Sequence, residues 1–176
     1  MFEGWSEFYL MAGGAAAVLI GLIFVVISLM QDRSRSSVLA GSKLYMGPIV
    51  LGVSFVLVLS AAALAPHLDR QDFAGVVAVI ALWGFARGVQ AVIGINQVRN
   101  EVHWSDIWFY GVVPCALYLA LAIVAYAFWQ DLAWAKTGLA VFVTGELLLA
   151  IRNEWDLITW IAPRHDSKDE DRSDFA

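Results

Sequence analysis

The sequence is short of the residues on which most soluble chemistry depends. Its single cysteine, Cys115, excludes an intrachain disulfide, and its place inside an apolar run reads as a small buried hydrophobe. Charged residues make up only 15% of the chain, against about 25% in a soluble domain. With a net charge of −5 and no block of basic residues, nothing points to a nucleic-acid partner. No glycine-rich loop ends in Lys-Ser/Thr, so there is no phosphate cradle of that kind. No histidine lies at the depth of a helix-borne serine, so no Ser-His-Asp arrangement is supported. The residues ahead of the first apolar run include Glu3 and Glu7 but no Lys or Arg. A signal peptide wants a positive n-region and a shorter core, so this run is expected to be a retained helix. Neither a myristoylation start nor a prenylation box is present.

What the chain does have is apolar length. It is 60% hydrophobic, with a mean hydropathy of +0.70. About 20 apolar residues cross a hydrocarbon core, and five segments qualify, at about 8–30, 45–65, 73–97, 107–129 and 133–152. The fifth extends to about 162, where Pro163 ends it. The predicted fold is therefore all-α: a polytopic membrane protein with a bundle of five transmembrane helices in one domain, 1–163. Residues 164–176 carry five acidic and three basic side chains and are expected to form a disordered cytoplasmic tail.

Orientation follows from Lys and Arg. Arg33, Arg35, Lys43, Arg99, Arg164, Lys168 and Arg172 fall on one side, and only Arg70 and Lys136 on the other. This places the N-terminus outside and the C-terminus in the cytoplasm. Trp5, Trp129 and Trp134 fall at the outer interface, and Trp104, Trp108, Trp155 and Trp160 at the inner one, as belts of interfacial indoles do. Five helices do not divide into two equal inverted halves, which argues against an inverted-repeat transporter.

Two ionisable residues interrupt the apolar runs. Arg87 lies in Ala81-Leu82-Trp83-Gly84-Phe85-Ala86-Arg87-Gly88-Val89-Gln90, and Glu146 in Val141-Phe142-Val143-Thr144-Gly145-Glu146-Leu147-Leu148. A charge at membrane depth needs a partner or a wet cavity, and marks a candidate site. Arg87 lies ~22 Å along the third helix and Glu146 ~18 Å along the fifth, by helical rise, so the two are expected to sit at one depth and to be able to pair. Gln90 shares the face of Arg87, and Asn153 that of Glu146. A polar site of Arg87, Gln90, Glu146 and Asn153 is thus expected between helices three and five, with Arg152 and Asp156 at its cytoplasmic mouth. Gly13, Ala17 and Gly21 recur every four residues in the first helix; with Gly84, Gly88 and Gly145 they are the expected positions of close helix packing.

Metal ligation has weak support. Glu101, His103 and Asp106 in one connection and His67 and Asp69 in another lack a compelling spacing. His67 and His103 fall on opposite faces, which argues against haem. No cofactor or metal is implied, and no enzymatic constellation emerges. The reading that follows is a channel- or transporter-like membrane protein, expected to be homo-oligomeric. The alternative is an accessory protein that binds other membrane proteins and in which a buried Arg87–Glu146 pair is structural.

The stretch Gly13-Gly14-Ala15-Ala16-Ala17, followed by Gly21-Leu22-Ile23-Phe24-Val25 and Ser28-Leu29, resembles the first helix of small bacterial inner-membrane proteins of unknown function. Ile151-Arg152-Asn153-Glu154-Trp155-Asp156-Leu157 is similar to their last helix, with Glu154 standing where Ala is expected. The resemblance implies a multi-pass protein of the bacterial plasma membrane and carries no activity.

Overall fold

A computed structural model describes residues 2–29, 47–97 and 108–161. The described residues form helices and short turns, with no strand among them. α1 runs Ser6–Leu29, α2 Gly47–Leu64, α3 Arg70–Gln97, α4 Val113–Trp129 and α5 Ala135–Ile161. A short π-helical turn, Trp108–Val112, leads into α4. The connections at 30–46 and 98–107 and the tail lie outside the described residues, and with them most of the Lys and Arg that set the expected orientation, and the Glu101–Asp106 run.

Four stretches are long and apolar enough to cross a membrane: Ser6–Val26, Gly47–Leu64, Arg70–Gly94 and Trp108–Trp129. α5 is as long but carries Lys136, Glu146, Arg152, Glu154 and Asp156. Its faces are distributed inside out. Glu146, Asn153 and Glu154 are buried, while Val141, Leu148, Ile151 and Trp155 face outward. The rest of the bundle supplies the cover for that polar side.

The helices alternate in direction. At one end, Phe2 meets Tyr9 at 5.1 Å and Phe73 at 4.9 Å, and Phe73 meets Phe128 at 5.0 Å, all edge-on. That geometry suits the aromatic quadrupole, and it joins the starts of α1 and α3 to the end of α4. Arg70 fastens the same end: its Nη1 donates to the Phe128 carbonyl at 2.8 Å and to that of Trp129 at 3.3 Å. These are carbonyls that the last turn of a helix leaves without intrahelical donors. Asp131, in the tight turn to α5, pairs with Arg70 Nε at 3.4 Å.

Packing is most extensive between α3 and α4 and between α1 and α2. α5 packs on α1, α2 and α4, whereas α2 and α4 stand between it and α3. Helices three and five therefore do not pack extensively on each other. The reason lies in α3's glycines: the ring of Tyr118 occupies the space a Cβ at Gly84 would fill, and a Cβ at Gly88 would lie 2.7 Å from Cys115 Sγ. Both glycines thus dock α3 onto α4. Gly145 approaches Leu117, also on α4. On α1, Gly13 packs against Ser60 of α2, but Ala17 and Gly21 face outward, so the four-residue stripe does not follow the α1–α2 contact. The face buried there runs through Tyr9, Ala12, Ala16, Leu19 and Ile23 instead.

Candidate functional site

Glu146 is the centre of the site. Its side chain is 5% exposed. Oε1 accepts the Tyr118 hydroxyl at 3.2 Å, and Oε2 is buried without a hydrogen-bond partner. The carboxylate lies directly against Gly52 of α2, where any Cβ would collide with Oε1. Tyr118 is held as firmly. Its ring lies flat in the notch at Gly84, edge-on to Phe55 at 6.0 Å and tilted to Phe142 at 5.7 Å. Three helices thus fix a phenol whose hydroxyl points at the α5 carboxylate.

Beside this pair is a cavity of about 30 Å³, room for one or two waters. Pro48 and Ile49 of α2, Gly88 and Arg87 of α3, Tyr110 and Pro114 before and within α4, and Glu146 and Asn153 of α5 are among the residues that line it. The cavity therefore joins the buried Glu146 to the exposed Arg87. Its shape depends on the entry to α4. Pro114 has no N–H to offer the carbonyl of Tyr110, four residues back, and the chain takes a π turn there, a feature common at functional sites. The Tyr110 hydroxyl donates to the Asn153 carbonyl at 3.3 Å and so ties this turn to α5.

The expected site residues divide into two groups. Glu146 and Asn153 are buried on the cavity wall. Arg87 and Gln90 are exposed and bonded to each other, Nη1 to Oε1 at 3.0 Å. The Arg87–Glu146 ion pair is not formed: Arg87 turns along its own helix to Gln90 and faces Glu146 only across the cavity. Arg152 and Asp156 pair at 2.9 Å. The same guanidinium donates to Asn153 Oδ1 at 3.0 Å and lies 3.5 Å over the Phe109 ring, a cation–π contact. It braces Asn153 from the end of the cavity at which the π turn enters. Glu154 is 7% exposed with Oε1 unpartnered; this is the position where the resemblance expects Ala. Toward the opposite end of the bundle, Ser60 Oγ and Tyr9 Oη are also buried without partners.

Tyr118, Gly52 and Tyr110 were not apparent as site residues from sequence. Tyr118 carried one usable signal, a phenol in mid-span that needs a partner when buried. Gly52 carried none, since a glycine beside a carboxylate and one beside a methyl look alike in a sequence. Among the described residues, no three His, Cys, Asp or Glu side chains gather as a metal site. In comparison with known proteins, no family model, no curated protein and no solved structure matches this chain.

Proposed function

We propose that this chain is a five-span plasma-membrane protein, channel- or transporter-like, that takes and releases a proton at Glu146. The observation that carries the reading is a buried carboxylate with one oxygen unpartnered and no ion pair among the described residues, on the wall of a water-sized cavity whose opposite wall carries Arg87. An ionised carboxylate in such a place is costly. A proton satisfies it, and water in the cavity can deliver one. The narrowness of the cavity favours a proton over a larger solute. Ser60 and Tyr9 on one side, and Asn153 with Glu154 on the other, extend the buried polar groups along the bundle axis. The bias of Lys and Arg supports an outside N-terminus, and the first-helix resemblance supports a bacterial plasma membrane. The alternative, an accessory protein locked by an Arg87–Glu146 pair, lacks that pair.

The test is proton flux in liposomes holding the purified full chain, driven by a potassium diffusion potential and read by an internal pH dye. Flux above protein-free liposomes is expected, with its loss in Glu146→Gln at preserved fold. No flux from the wild type, or equal flux from the variant, removes Glu146 from the mechanism.

A further inference from the structure

Arg87 poses a problem that the cavity does not solve. A guanidinium stays charged in any protein setting. This one is exposed and, among the described residues, has no carboxylate partner and uses Nη1 on Gln90 alone. Trp83, one turn back, flanks it, and the rest of α3's exposed surface carries Leu82, Phe85, Val89 and Ile93, all suited to hydrocarbon. An unpartnered cation on such a face is costly and has to meet an anion. Its depth limits which one. Arg87 lies about 10 Å of helical rise before Gly94, where the apolar span ends. The bond to Gln90 directs the guanidinium toward that end, the direction in which an arginine near a helix end snorkels to reach headgroups. Most of its five donors remain available, in the planar fork that matches a phosphate. Gln90 adds its amide NH₂, since its Oε1 is already used by Arg87.

We propose that Arg87 and Gln90, on the outward face of α3, bind the phosphate of an anionic lipid headgroup. This inference is independent of what Glu146 does. A lipid suits the face better than a second copy of the chain. Close helix association in membranes uses small residues, but α3's Gly84 and Gly88 are already spent against Tyr118 and Cys115 of α4. What α3 turns outward beside Arg87 is bulky and apolar.

The experiment is native mass spectrometry of the purified full chain offered equal amounts of phosphatidylglycerol and phosphatidylcholine. The wild type is expected to retain the anionic lipid more than about fivefold over the zwitterionic one, about fivefold being the ratio for the charge of one basic residue at an anionic surface and the bidentate fork adding to it. Arg87→Gln abolishes the preference and Gln90→Ala weakens it. Lys136→Gln, at the other end of the bundle, leaves it unchanged. If Arg87→Gln does not fold, Arg87→Lys decides: it keeps the charge but loses the fork, and unchanged retention overturns the proposal. So does a wild type that holds both lipids equally. A dimer that dissociates in Arg87→Gln with no change in lipid preference assigns the face to a second copy and equally overturns it.

Discussion

Replacing Gly52 with alanine tests the geometry at its tightest point. The new methyl would occupy the position of Glu146 Oε1, so the carboxylate must move. Little space is open to it, because Tyr118 is wedged between Gly84, Phe55 and Phe142. Moving Oε1 breaks the 3.2 Å bond from Tyr118, which costs about 1–3 kcal/mol for a buried polar group left unsatisfied. Overpacking adds about 1–3 kcal/mol. Alanine in a helix offsets about 0.5–1 kcal/mol of this, so the balance is a loss of roughly 1–5 kcal/mol, centred near 3. The assay is reversible unfolding in mixed micelles by denaturing detergent. Gly14→Ala serves as the control: it is exposed with open space around it and should gain about 0.5–1 kcal/mol. The cause is isolated by a double-mutant cycle with Glu146→Ala. With the carboxylate gone, the methyl has room, so the pair should be coupled by more than about 1 kcal/mol. Gly52→Ala as stable as Gly14→Ala, or strictly additive with Glu146→Ala, would refute the reasoning.

Other substitutions probe the neighbours. Tyr118→Phe removes the hydrogen bond to Glu146 and should cost about 1–3 kcal/mol in the same unfolding assay, with proton flux altered in liposomes; unchanged values in both would detach Tyr118 from the site. Arg70→Ala should cost about 1–2 kcal/mol, chiefly through the lost donors to the Phe128 and Trp129 carbonyls. Asp131→Ala should cost under about 1 kcal/mol, since that partner is mostly exposed. Arg152→Lys should loosen the π-turn end more than a charge-conserving change suggests, because the stacking on Phe109 is lost; faster amide exchange at residues 108–112 is the readout.

The helices were legible because apolar run length is a one-dimensional signal. Glu146 stood out for the same reason, as a charge inside such a run. Depth along the membrane normal also follows from counting residues, and so Arg87 and Glu146 could be set at one level. Which helices touch does not follow from counting. That depends on where small residues face, and Gly84 and Gly88 turned out to face α4. The two charges ended on different walls of one cavity, one buried and one outward, instead of in contact. The stripe of Gly13, Ala17 and Gly21 shows the same limit: a four-residue spacing drifts around a helix, and only Gly13 meets a neighbour. Gly52 had no sequence signature, because the reason for it is a side chain that stands 94 positions away and meets it only in the folded bundle.

The central claim is that Glu146 holds an exchangeable proton in a wet, buried cavity. Infrared difference spectroscopy of the reconstituted protein, exchanged from H₂O to D₂O, reads this most directly. The account predicts a carboxylic-acid carbonyl band that shifts on exchange, is missing in Glu146→Gln and moves in Tyr118→Phe, where its hydrogen-bond donor is gone. A wild-type spectrum without such a band at any pH where the fold persists, or a band left unchanged by Glu146→Gln in a Glu154→Gln background, contradicts it.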